Sequence, residues 1–250
     1  MVSLTSKVET GHRDIVHDAQ MNFHGTRLAT CSSDHLVKIF EIKSNGQSFP
    51  MAELTGHDGP VWQVNWAHPK FGTILASCSH DRKAIVWKEV NGKWQKSYEY
   101  NQHEASVNSI SWAPPQYDLI FACCSTDCSV SIISWMGDVW KPIKIPKAHE
   151  EGCNAVSWAP AKRTKSLVDP TEQIDPKRIV SGGNDRLVKI WKSRPGRTRR
   201  LARLLLVEWM DDWSLCATVL AVSGADNKVN LFQERLPNQW MRISEPDEDK

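Results

Sequence analysis

The chain has 250 residues, with 31 Lys plus Arg against 29 Asp plus Glu and a formal net charge of +2. That length suffices for one large domain or two small ones, and the near balance of charge gives no global pull toward nucleic acid or an anionic membrane. Mean hydropathy is −0.45, and the longest stretches free of Asp, Glu, Lys and Arg run 13 residues (105–117 and 213–225). A spanning helix needs about 18 apolar residues, so no transmembrane segment is expected. The opening MVSLTSKVETGH lacks the apolar stretch of a secretory signal, and seven cysteines, an odd number, fit reduced thiols in the cytosol. Twelve Trp against six Phe and three Tyr is the unusual feature, and it suggests a repeat.

In chain order, the first unit (11–54) holds His12 and the segment LATCSSDHLVKIF (28–40). The second (55–100) holds His57, the alternating strand VWQVNW (61–66), LASCSHDRKAIVW (75–87) and GKWQKSY (92–98). The third (101–147) repeats this with His103, VNSISW (107–112), FACCSTDCSVSII (121–133) and DVWKPIKI (138–145). The fourth (148–192) has His149, NAVSW (154–158) and IVSGGNDRLVKIW (179–191), interrupted by a polar insertion at 161–177 that suits a surface loop. A fifth (207–245) has LAVSGADNKVNLF (220–232) and NQWMRIS (238–244). Each 13-residue segment is an apolar strand, a small-residue turn ending in Asp, and a second strand closing on an aromatic or Ile. The aspartates Asp34, Asp81, Asp127, Asp185 and Asp226 step by 47, 46, 58 and 41 residues. A period near 40–50 with strand-turn-strand units predicts an all-β, WD-type β-propeller with five recognisable blades in a single domain over 1–250.

The recurring polar residues predict a buried hydrogen-bond chain in each blade. The set comprises His12, Thr30 and Asp34; His57, Ser77, Asp81 and Trp87; His103 and Asp127; His149, Ser181, Asp185 and Trp191; and Asp226. Each Asp would cap a turn through backbone N–H groups and hold the His, which orients the hydroxyl. A Ser-His-Asp triad uses the same residue types, but an enzyme needs one, and recurrence in four units argues for structure. Cys124 and Cys128 beside His103 lack zinc-site spacing, so neither a metal nor a catalytic residue is expected. No phosphate-binding glycine motif occurs, so no cofactor is expected either. His24, His35, His68 and His80 are expected to be solvated.

The runs 15–40, 56–87, NSISWAP (108–114), GCNAVSWAP (152–160) and LAVSGADNKVNLF (220–232) resemble the Sec-thirteen family of WD-repeat proteins. The resemblance implies a non-enzymatic scaffold shared by the COPII coat of ER-to-Golgi vesicles and the outer ring of the nuclear pore. It further implies an open propeller, six-bladed in the family, that receives a blade in trans. The implied partners are a Sec-thirty-one-type rod subunit of the coat and a helical-solenoid nucleoporin of the pore's Y-complex. The chain would then be a monomeric propeller within a hetero-oligomer, with no direct nucleic acid and only peripheral contact with membrane through the coat. It would sit at the cytoplasmic face of the endoplasmic reticulum and at the nuclear pore. Independently, the last unit supplies its own fourth strand, so the N-terminal segment is not needed to complete it, and unpaired blade edges invite strand addition. The rival function is an adaptor that reads short peptides on the propeller's top face.

The pattern fails at an Arg-rich junction, 193–206, where a fourth strand and a further blade should follow. Arg194, Arg197, Arg199, Arg200 and Arg203 could form a nucleic-acid or import patch, or mark a splice or frame lesion that removed a blade. The missing period and the lost strand pattern favour the lesion. Trp209 and Trp213 align with Trp62 and Trp66, which sets Asp211 at the place of Val64. Val222 replaces the relay serine, and no His precedes Asp226.

Overall fold

The computed structural model describes residues 7–161, 163–164, 173–174, 177–194, 197–205, 210–213, 218–223, 229–236 and 239–243. The chain forms two compact units, Met1–Ile110 and Ser111–Lys250, taken here in turn. Almost every described element is a strand, and no described helix is long and apolar enough to cross a membrane.

The first unit contains two antiparallel meanders. The first runs β1 (Val16–Met21), β2 (Arg27–Ser32), β3 (Val37–Ile42) and β4 (Ser48–Leu54). The second runs β5 (Val61–Trp66), β6 (Ile74–Ser79), β7 (Ala84–Val90) and β8 (Lys93–Tyr100). Their cores merge: Ala29, Val37 and Ile39 pack with Val61, Val64, Leu75, Ile85 and Trp87, all buried. Polar groups stitch the same junction. Asp18 accepts from the Val64 amide, Trp66 Nε1 donates to the Gln20 carbonyl, and Arg27 pairs with Glu89 at 2.6 Å.

β9 (Val107–Trp112) straddles the unit boundary and begins the third sheet, followed by β10 (Ile120–Ser125), β11 (Val130–Trp135) and β12 (Trp140–Ile145). The fourth sheet opens with β13 (Cys153–Trp158). The insertion follows, and its described part is a small hairpin of β14 (Arg163–Thr164) and β15 (Gln173–Ile174) where a plain loop was expected. The sheet then continues with β16 (Arg178–Gly183), β17 (Leu187–Arg194) and β18 (Arg197–Leu205). β18 corrects the expected strandless junction at 193–206. It pairs antiparallel with β17 from Leu187↔Leu205 to Arg194↔Arg197, with one bulge, so this blade extends beyond 192. An outermost strand exposes one edge to water and tolerates charge that an inner strand would exclude.

The fifth sheet is β19 (Met210–Trp213), β20 (Val219–Ser223), β21 (Val229–Leu236) and β22 (Gln239–Arg242). Asp211 stands opposite Val222 as Val64 stands opposite Ser77, so the aligned register holds in the backbone. This sheet packs on the fourth. Val180, Val188 and Ile190 meet Leu220, Val222 and Phe232, and Arg178 bonds Glu234 at 2.9 Å. Arg178 and Glu234 occupy the repeat positions of Arg27 and Glu89. The fifth sheet therefore docks on the fourth as consecutive blades do.

The candidate site is a set of buried blade relays

The first, second and fourth sheets carry the relay in full or in part. In the second, His57 Nδ1 lies 2.9 Å from Asp81 Oδ2 and its Nε2 lies 2.8 Å from Ser77 Oγ. Trp87 Nε1 donates to the same hydroxyl at 2.8 Å, which closes the chain. The fourth sheet repeats this with His149–Asp185 at 2.7 Å, His149–Ser181 at 2.8 Å and Trp191–Ser181 at 2.9 Å. In the first, His12 bridges Asp34 and Thr30, both at 2.8 Å, and Phe40 offers no indole N–H.

The aspartate works twice. Its second role is in the turn: Asp81 accepts from the Asp58 and Lys83 amides, and Asp34 accepts from those of Arg13 and Leu36. Burial opposes ionisation of Asp81, but the His57 hydrogen bond and charge and the two amides prevail, holding its carboxyl at about 2. Asp34 and Asp185 are lowered for the same reasons, against burial, with Lys189 an added partner for Asp185.

In the third unit, His103 is buried with its ring 5.3 Å from Tyr100, edge to face. Asp127 accepts from the Ser129 amide and hydroxyl and from Lys144 Nζ. Cys123 and Ile133 occupy the serine and tryptophan positions. Asp226 lies outside the described residues.

Three contributors were absent from the sequence reading. Ser32, Ser79 and Ser125 each accept the amide two residues on, that of Asp34, Asp81 and Asp127, and so fix the turn from inside. Their signal was present as the recurring Ser-x-Asp. Gly183 takes this place in the fourth sheet, where a Cβ would collide with the His149 ring. Lys38 and Lys189, also alike in repeat position, anchor the carbonyls of Gly11 and Ala148. Among the expected solvated histidines, His24, His35 and His80 are exposed, but His68 Nδ1 accepts from Lys70 and caps a short 3-10 turn.

The relay hydroxyls cannot serve as nucleophiles as they stand. Ser77 and Ser181 are fully buried and already engaged by a histidine and a tryptophan, whereas a nucleophile must reach substrate. Among the described residues no His/Cys/Asp/Glu cluster could hold a metal. The six described cysteines are free thiols, five of them buried.

The "WD domain, G-beta repeat" family matches residues 5–41, 48–88, 94–134 and 140–192. The chain is 39% identical over 305 aligned positions to "Protein SEC13 homolog" of Caenorhabditis briggsae, covering 100% of this chain and 97% of that one. It is 46% identical over 295 positions to "Protein SEC13 homolog" of Dictyostelium discoideum, with 96% and 98% covered. To "Protein transport protein sec13" of Schizosaccharomyces pombe it is 48% identical over 293 positions, with 95% and 98% covered. Since 305 aligned positions exceed the 250 residues here, at least 55 positions of the first alignment hold no residue of this chain. One repeat period, 46 or 47 residues in the first two steps, is of that size.

Proposed function

The chain belongs to the SEC13 family of WD-repeat proteins, and from that premise we propose that it is a non-enzymatic scaffold of protein transport that docks to partners through a donated blade. Its lattices are the COPII coat at the cytoplasmic face of the endoplasmic reticulum and the nuclear pore outer ring. Its partners are a Sec-thirty-one-type rod subunit and a solenoid nucleoporin. The names of its relatives, several of them protein transport proteins, support the transport role.

One observation carries the docking mechanism: both terminal sheets leave apolar strand surface bare. On the fifth sheet, Val229, Leu231, Met241 and Ile243 are exposed while the alternate residues Asn230 and Phe232 are buried. On the first, β1 is mostly exposed, and Ile15, Val16, Met21 and Phe23 face solvent. The corresponding β5 and β9 bury their Val61, Val64, Val107 and Ile110. Bare apolar surface of this kind marks an interaction site, and a blade added in trans would cover it at about 25 cal/mol per Å².

The test is light scattering and thermal unfolding of the full chain with a rod-subunit fragment carrying the donated blade. A one-to-one complex should form and the midpoint should rise, by the equivalent of about 2.7 kcal/mol at a hundredfold excess over Kd. No complex and an unmoved midpoint would refute the mechanism.

A further inference from the structure

A second surface lies at the turn-side rim of the second sheet. The first strand of three sheets carries a bulge, at His17, Trp62 and Asn154, which re-aims that side chain toward the turn. The residue it meets is the one preceding the relay aspartate. In the first sheet His17 Nε2 bonds Ser33 Oγ at 2.6 Å, and in the fourth Asn154 Nδ2 bonds Asn184 Oδ1 at 2.6 Å. Those pairs satisfy each other. In the second sheet the pair is Trp62 and His80, and it does not: the rings meet edge to face at 6.2 Å while Trp62 Nε1 turns away to Ser106 Oγ at 2.9 Å. The exposed His80 imidazole has no hydrogen-bond partner among the described residues.

Beside it opens a cavity of about 690 Å³ lined by Asp58, His80, Asp81, Arg82, Lys83, Ala105 and Ser106. Its acids are engaged. Asp58 pairs with Lys83 at 2.8 Å, and Asp81 holds His57 together with two amides. Arg82 is exposed and makes no ion pair among the described residues. Its left-handed backbone, φ 71°, recurs at His35, Cys128 and Arg186, so the turn dictates that conformation. Arg186 repeats the guanidinium in the fourth sheet, where Asn184 is bonded to Asn154, and the local difference in the second sheet is the unpaired His80 beside Arg82. His17 extends the rim, its ring 4.6 Å from Trp62.

We propose that this rim is a docking site for an extended acidic peptide, whose carboxylate is taken by Arg82 and His80 and whose neighbouring residue lies on Trp62. Arg82 can clamp a carboxylate with two parallel N–H donors, His80 can donate a third, and the Trp62 edge offers apolar contact. The lining carboxylates of Asp58 and Asp81 disfavour a dense polyanion and leave room for isolated acidic side chains. The site does not depend on the docking of a donated blade.

The experiment is fluorescence anisotropy of the full chain with a labelled dodecapeptide alternating Glu and Ser. The controls are the matching Gln–Ser peptide and deca-thymidylate. The Glu–Ser peptide should bind and the Gln–Ser peptide should not, and Arg82→Gly and His80→Ala should each weaken binding about tenfold or more. Arg82→Gly suits the left-handed turn, so a thermal midpoint at or slightly above that of the unchanged chain separates lost binding from lost folding. Arg13→Gln, at an exposed cation in the segment before β1, should leave affinity unchanged. Equal binding of the Gln–Ser peptide, equal affinity in the Arg82→Gly chain, or tighter binding of deca-thymidylate would overturn the proposal.

Discussion

The second and fifth sheets are built from the same repeat and solve the same problem differently. The second keeps its whole relay, with Ser77 at the centre taking one bond from His57 and one from Trp87. The fifth puts Val222 at that place and Phe232 at the tryptophan position, both buried, and forms an ordinary antiparallel meander all the same. Strand alternation and turn chemistry are therefore enough to make a blade. The relay adds stiffness by giving buried polar groups fixed partners, and the sheet that lacks it also leaves an apolar face bare.

That contrast can be broken or sharpened by experiment. The largest effect belongs to Trp87→Ala, which empties a buried indole site against Gly56 and Ile85 and should cost about 3–5 kcal/mol in chemical unfolding. Ser77→Ala leaves both His57 and Trp87 short of a partner and should cost about 2–3 kcal/mol. The mirror change Val222→Ser should also destabilise, since no histidine precedes Asp226 to receive the hydroxyl. A gain in stability from Val222→Ser would contradict the comparison.

The acid limb comes next. Asp81 is lowered from 3.8 to about 2, so its contribution is present above about pH 4 and is lost as pH falls toward 2. Asp34 and Asp185 act in the same direction, while Asp18, whose burial raises its carboxyl, opposes them. Unfolding followed between pH 5 and 2 should lose about 2 kcal/mol for Asp81, and Asp81→Asn should flatten that limb. The smallest effect is Arg82→Gly, which frees a left-handed turn of its Cβ and should raise stability by about 0.5–1 kcal/mol.

The relay was legible because repetition turns a weak motif into a strong one: His57, Ser77, Asp81 and Trp87 stand out once His149, Ser181, Asp185 and Trp191 recur at the same offsets. β18 was not legible, because RTRRLARLL has a charge-rich composition that masks an edge strand, and only pairing with β17 reveals it. The Arg27–Glu89 and Arg178–Glu234 ties escaped for another reason. Each joins residues more than fifty positions apart, and nothing local marks such a pair. The rim of His80 and Arg82 was hidden as well, since two solvated side chains in a turn acquire meaning only against the self-satisfied pairs of the other sheets.

The most direct test of the central claim is hydrogen exchange of the full chain, alone and with the rod-subunit fragment carrying the donated blade. The account predicts that β1 and β20–β22 exchange readily alone and become protected in the complex, while β5–β7 are protected in both. Protection of β1 and the fifth sheet in the isolated chain, or no change on adding the fragment, would contradict it.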